Sequence, residues 1–314
     1  KNSSDACIAG SVYGGGENGH VIGNTQLTMQ RGLVGHTLYG GGKGKDTYTT
    51  TLLVKDANGK KPGEDGYTET TGDVEIYSIT AGKVYGNTNV TMSGGRVVRN
   101  IYGGGNMASV GKGNYSGGAD DYTRAGYGET IVGNLWTNTD FMNTGKSTVT
   151  ISDGIVGAVQ TELEEGEDDM KDDLIFGNVF GGCRGEAAPN VSQTLSPRIH
   201  YYPEFYVGYV NETVVDIETG AKVLGSVYGG GEDGHVRRGT QVNINGGEIG
   251  LAYTEANQNY VGKNNKGNPY KISSDRWQQR GNVYGSGSGI GQYDTGEVEI
   301  VDEKEKAIMA YSYS

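Results

Sequence analysis

SVYGGGENGHV at residues 11–21 returns far downstream as SVYGGGEDGHV at residues 226–236. An ungapped alignment of 11–35 with 226–250 keeps 14 identities in 25 positions. Self-similarity of this kind marks a chain built from repeated units, each resting on the next. Looser copies of the aliphatic–aromatic–Gly corner stand at 38–42 (LYGGG), 84–88 (VYGNT), 101–105 (IYGGG), 179–183 (VFGGC) and 283–287 (VYGSG), which brings the corners to seven.

A second element travels with the corner. TQLTM, DVEIY, TNVTM, STVTI, TVVDI, TQVNI and GEVEI alternate polar with apolar residues. Strict alternation is the pattern of a strand with one buried face. It predicts that Leu27/Met29, Val74/Ile76, Val90/Met92, Val149/Ile151, Val215/Ile217, Val242/Ile244 and Val298/Ile300 point inward. A Gly follows most copies (Gly32, Gly95, Gly154, Gly220, Gly247), and the natural reading is that glycines supply the positive φ that corners demand. Aromatic rings at one register are expected to stack from each unit to the next. The competing reading makes them a solvent-facing stripe for sugars.

Spacing separates the candidate folds. The aromatics Tyr13, Tyr39, Tyr85, Tyr102, Phe180, Tyr228 and Tyr284 are 26, 46, 17, 78, 48 and 56 residues apart. A propeller blade needs about 40–50 residues, so 17 cannot make one. It suffices for one turn of a solenoid, whose short strands lie on the turn below. Comparing GGGENGHVIGNTQLTM with GNTNVTM suggests that longer turns gain nine residues directly behind the aromatic. The expectation is an all-β chain, a right-handed parallel β-helix forming a single domain over 1–314. Long loop insertions at the coil corners would cover about 43–72, 106–145, 158–178, 184–212 and 251–281.

Composition closes other routes. Gly accounts for 57 of 314 residues against a usual share near 7%. With 34% apolar residues the core must be thin, yet five Pro and 22 Tyr argue against a disordered polymer. A net charge of −12 disfavours nucleic acid, which requires a basic surface. No apolar run of about 18 residues spans a bilayer. Polar sequence at both ends reads as a mature or excised piece of something longer. Cys7 and Cys183 are too few for a disulfide framework, and several turns separate them, so both are expected as free thiols.

The VYGGG corner, followed by T-x-V-x-I and GG-x-[IV]-G, resembles Gly-rich repeat-bearing surface proteins of gut-dwelling anaerobic bacteria. The resemblance covers both ends and the middle of the chain. It implies an extracellular, cell-surface location, a parallel β-helix, and an adhesion or matrix role. It carries no catalytic residue.

Candidate chemistry concentrates in the insertions, where binding residues gather. SPRIHYYPEFYVGYV at 196–210 offers Tyr201, Tyr202, Phe205, Tyr206 and Tyr209 as ring faces for sugar CH groups, and Trp136 and Trp277 can join them. The alternative is rings packed against the body of the protein. ELEEGEDDMKDD at 162–173 reads as a solvated loop. Its sharper reading gathers Glu167, Asp168, Asp169, Asp172 and Asp173 on Ca²⁺, without the fixed spacing of a calcium loop. No other cofactor is implied. Arg96, Arg99, Arg237 and Arg238 are the candidate bases for a polysaccharide-cleaving enzyme, but paired acids beside them are not evident. The sequence therefore favours a non-enzymatic, exported adhesin that contacts host or microbial glycans or surface proteins. A polysaccharide lyase or glycoside hydrolase on the same scaffold is the first alternative, and a structural spacer within a large surface protein the second.

Overall fold

The computed structural model describes residues 6–54, 65–66, 70–78, 80–112, 143–157, 177–185, 207–250 and 281–289. Trp136, Trp277, the group from Tyr201 to Tyr206, the acids from Glu167 to Asp173, and Val298/Ile300 lie outside them. The described residues form an all-β protein with almost no helix, built chiefly of parallel sheets.

One sheet consists of the corner strands β2 (Val12–Tyr13), β5 (Leu38–Tyr39), β9 (Ile101–Tyr102), β11 (Val179–Phe180), β13 (Val227–Tyr228) and β16 (Val283–Tyr284), neighbouring in that order. The other is ordered β1 (Cys7–Ile8), β4 (Leu33–Val34), β8 (Thr88–Val97), β10 (Lys146–Val156), β12 (Tyr209–Val223) and β14 (His235–Ile244). In it β3 (Thr25–Met29) also pairs with β8, and β15 (Glu248–Ile249) with β12. All these pairings are parallel. Isolated parallel bridges add two further ladders, Val21–Val84–Val110 and Asn106–Arg184–Glu232–Ser288. The chain visits the two sheets alternately, and each strand lies on its counterpart from the previous pass.

Register carries the alternation into the core. Leu27, Val90, Val149, Val215 and Val242 form one column, and Met29, Met92, Ile151, Ile217 and Ile244 the next. All of these but Ile244 make one apolar cluster with the aliphatic residues of β2, β5, β9, β11 and β13. Two expected core positions differ. Val242 is only partly buried, and Ile244 is 46% exposed. Both sit on β14, which among the described residues has a partner strand on one side only.

A polar column hides inside the same pattern. In β3, β10 and β12 the residue that opens the alternating segment also faces inward, and its hydroxyl donates to the carbonyl of a corner glycine, while the buried Thr88 hydroxyl of β8 has no hydrogen-bond partner. Thr25 binds Gly40 O at 2.6 Å, Ser147 binds Gly181 O at 2.6 Å and Thr213 binds Gly229 O at 2.5 Å. These bonds tie the long sheet to the short one, and buried hydroxyls need such partners.

Two expected copies are corrected. VYGNT is not an aromatic corner: Val84 bridges Val21 and Val110, so KVYGNT is the counterpart of HVIGNT and Tyr85 stands where Ile22 does. Six corners therefore stack rather than seven. DVEIY belongs to β7 (Thr70–Tyr77), which pairs antiparallel with β6 (Thr47–Val54) and not with the long sheet, and the side chains of Val74 and Ile76 lie outside the described ones. Alternation alone does not say which neighbour a strand takes.

The corner glycines are needed for a different reason from the one expected. Gly14, Gly40, Gly103, Gly181 and Gly229 do not have positive φ. A Cβ on any of them would come within 3.0 Å of the next pass's backbone, Gly40 O, Gly103 O, Gly181 O, Gly229 O and Gly285 O in turn. The turn glycines Gly32, Gly95, Gly154 and Gly247 do take positive φ, as expected. Gly220 does not, because the register slips near it and Ala221 occupies that column.

Both cysteines are free, Cys7 exposed and Cys183 fully buried. Burial pushes the Cys183 thiol up to about 12, so it stays protonated and unreactive at neutral pH. Thiol titration should find one rapidly reacting group in the native protein and two after denaturation. Two fast native thiols would contradict the packing around Cys183.

Candidate functional site

Each corner strand splits its two side chains. From β2 to β13 the aliphatic residue joins the core, whereas Val283 of β16 is exposed, and the aromatic residue of every corner strand joins a separate column on the opposite face. Tyr13, Tyr39, Tyr102, Phe180, Tyr228 and Tyr284 stack with centroids 4.7–5.0 Å apart and planes within 3–14° of parallel. Every inner ring has both faces covered by its neighbours, so no sugar can stack there. Tyr39, Tyr102 and Phe180 are buried outright. The Tyr102 hydroxyl donates to the Glu232 carboxylate, which also faces the Arg184 guanidinium at 3.6 Å.

That burial has a pH consequence. Desolvation pushes the Tyr39 phenol from 10 up to about 12, and Tyr102 is raised by burial first and then by Glu232. A phenol whose folded pKa exceeds its unfolded value contributes stability below pH 10 and loses it as pH climbs to about 12. Tyr39 alone accounts for about 3 kcal/mol over that window. The far-UV signal should hold to about pH 10 and collapse by about pH 12, with phenolate absorbance of the buried rings rising only on unfolding. An intact fold at pH 12 with those rings ionised would contradict the stack.

The insertions leave the stack at glycine pairs. A Cβ on Gly111 would lie 2.7 Å from Gly145 Cα, and one on Gly208 2.8 Å from Gly185 Cα. On Gly177 it would lie 2.9 Å from Gly157 Cα, on Gly281 3.1 Å from Gly250 Cα, and on Gly82 2.5 Å from Gly44 N. The excursions are therefore 45–81, 112–144, 158–176, 186–207 and 251–280. Each returns to the point it left, so the strand below is not displaced.

These necks fall on two edges. Those of 45–81, 112–144 and 186–207 follow the corner glycines on consecutive passes. Gly111 N donates to Val84 O at 2.7 Å, Gly145 N to Gly86 O at 3.0 Å, and Asn211 N to Gly145 O at 2.8 Å. Those of 158–176 and 251–280 lie on the other edge, before the corner strands. The roots of the segments carrying Trp136 and the Tyr201–Tyr206 group are thus neighbours. Trp277 is rooted on the other edge, as is the acidic run.

Tyr209 is described, and it is not an available platform. Its ring is buried, lies 5.3 Å from His235 and has Arg237 Cζ 4.3 Å above its centroid. The repeat-equivalent His20 packs edge-on to Tyr85 at 5.7 Å, with Lys83 Nζ 4.8 Å over the same ring. His20 and His235 are four passes apart, about 19 Å at the usual strand spacing, too far to share a metal. Such cation–aromatic pairs clamp the first edge, and a desolvated pair of this kind is worth about 2 kcal/mol. Lys83 is completely buried. Nothing in the sequence pattern marks it.

The candidate bases are occupied in structural contacts. Arg96 Nε donates to Gly157 O at 3.0 Å, holding the neck of 158–176, and Arg238 Nη2 meets Glu212 Oε1 at 3.2 Å. Outward acids act locally as well: Asp216 accepts from Asn243 at 2.7 Å, and Asp153 accepts from Gly154 N at 2.7 Å. Among the described residues no three His, Cys, Asp or Glu gather as a metal site, and no helix is long and apolar enough to cross a membrane. Compared with protein-family models, curated proteins and solved structures, the chain finds no match.

Proposed function

We propose that this chain is a right-handed parallel β-helix serving as an exported, non-enzymatic scaffold of the cell surface, which displays insertions for adhesion to glycans or surface proteins. The alternation between two parallel sheets supports the helix, and crossovers between parallel strands of one sheet are right-handed almost without exception. The observation that carries the function is the placement of all five insertions on two edges, each closed at a glycine neck. Such necks let the display segments vary while the stack stays fixed, as a binding surface on a rigid frame requires.

The three necks on consecutive passes make the first edge the binding edge, with Trp136 and Tyr201, Tyr202, Phe205 and Tyr206 as contact residues. The acidic run on the second edge is the place for any Ca²⁺. The test is a panel of glycans and surface proteins probed with the whole chain and two variants, one joining Gly111 to Gly145 and one joining Gly250 to Gly281 through short linkers. Loss of binding only in the first variant, with unfolding still a single transition, is the expected result. Binding unchanged in that variant, or release of reducing sugar from the glycans, would overturn the reading.

A further inference from the structure

Asn is followed by Gly at 18–19, 58–59 and 245–246. In such a pair the glycine nitrogen can reach the asparagine side-chain carbon, because the glycine has no Cβ to obstruct it. The surroundings then decide how freely it does so. Asn58 lies outside the described residues, and the other two pairs differ.

Asn18 and Gly19 are exposed and lie in a bend between strands. A Cβ on Gly19 would meet nothing within 4 Å, and its φ is not positive. Gly246 instead packs on Thr219, where a Cβ would come within 2.7 Å of Thr219 Cα. Asn245 Nδ2 is also held by the Glu218 carboxylate at 3.0 Å, a charge-assisted bond. The repeat adds a second observation. Asn18 of GGGENGHV corresponds to Asp233 of GGGEDGHV, so the stack already carries an acid at this register.

Asn18 sits where the 45–81 excursion closes. Gly44 N donates to Glu17 O at 2.8 Å, and Gly82 N donates to Asn18 O at 2.9 Å. With its nitrogen turned to the acceptors, the Asn18 side chain donates to Gly44 O and Glu17 O, both at 3.0 Å. Both sides of the neck therefore rest on this one bend.

We propose that Asn18 is a site of spontaneous deamidation, and that its conversion loosens the neck of 45–81. Gly19 N attacks Asn18 Cγ, the Cγ–Nδ2 bond breaks, and the amide leaves as ammonia with the Gly19 proton. Water then opens the resulting succinimide at either carbonyl. One opening gives aspartate, and the other gives isoaspartate, with the main chain routed through Cβ and Cγ. Both products set a carboxylate against two carbonyl oxygens in place of a donor. Isoaspartate also displaces the acceptor of Gly82 N. The only co-reactant is water, and the chemistry is independent of any adhesive role.

The whole chain, kept in mildly alkaline buffer, is followed by peptide mass spectrometry and by labelling with an isoaspartyl methyltransferase. Acid should appear at position 18 several times faster than at 245. Gly19→Ala meets no clash, so it should keep the wild-type far-UV spectrum while nearly stopping the reaction at 18. Hydrogen exchange at the Gly44 and Gly82 amides should quicken in aged wild type and not in aged Gly19→Ala, with Val149 protected in both. Conversion at 245 before 18, or equal conversion in Gly19→Ala, would overturn the inference. So would a converted protein whose Gly44 and Gly82 amides stay as protected as before.

Discussion

Gly103→Ala should cost at least about 3 kcal/mol and, in a domain of ordinary marginal stability, leave little folded protein. The added methyl has no free space. It would meet Gly181 O, Ser147 Oγ and, at 2.9 Å, Val149 Cγ2, and the first two of these atoms are already hydrogen-bonded to each other. Relief would require two passes to separate, breaking the parallel pairing on both sides. Gly239→Ala is the matched control, because a Cβ there meets nothing within 4 Å and φ is not positive. It should raise stability by about 0.4–1 kcal/mol through the unfolded chain. Denaturant titration of both variants checks the pair. A Gly103→Ala protein as stable as the wild type would show that successive passes are not in contact at this corner.

Ile217→Ala should cost about 4 kcal/mol, whereas Ile244→Ala should cost less than about 1 kcal/mol. The two residues are register partners, adjacent in one column and identical in type. Ile217 is fully buried between neighbours on both sides, so truncation loses its transfer free energy and leaves a cavity. Ile244, 46% exposed on β14, has already kept part of that surface in water. Equal losses at both sites would mean that β14 is covered like an inner strand.

The contrast between these residues also shows what was legible in the sequence. Period-two alternation found Leu27, Met29, Val90, Met92, Val149, Ile151, Val215 and Ile217, because a strand with one buried face must alternate. It could not separate Ile217 from Ile244, since exposure at the end of a stack depends on a neighbouring strand and not on the strand's own pattern. It misplaced DVEIY for a similar reason: a hairpin and a parallel strand share one alternation. VYGNT was misread because Tyr followed by Gly fits two different ladders, and only the bridges of Val84 decide between them. The inward Thr25, Ser147 and Thr213 were missed because polar residues in an alternating strand are read as outward. For the candidate site, the insertions were legible as breaks in the repeat, but their necks were not. A glycine chosen to let two backbones touch looks in sequence like any other glycine in a chain with 57 of them.

The central claim is that successive copies of the repeat lie directly on one another, and a distance between two spin labels tests it. Gln26 and Gln241 are both exposed and belong to one register column through Asn89, Thr148 and Val214. They are four strand steps apart, about 19 Å at about 4.8 Å per step. With Cys7 replaced by Ser and Cys183 left buried, labels at Cys substitutions of these two positions should give one narrow distribution centred near about 20 Å. A broad distribution, or a mean beyond about 30 Å, would contradict the stack.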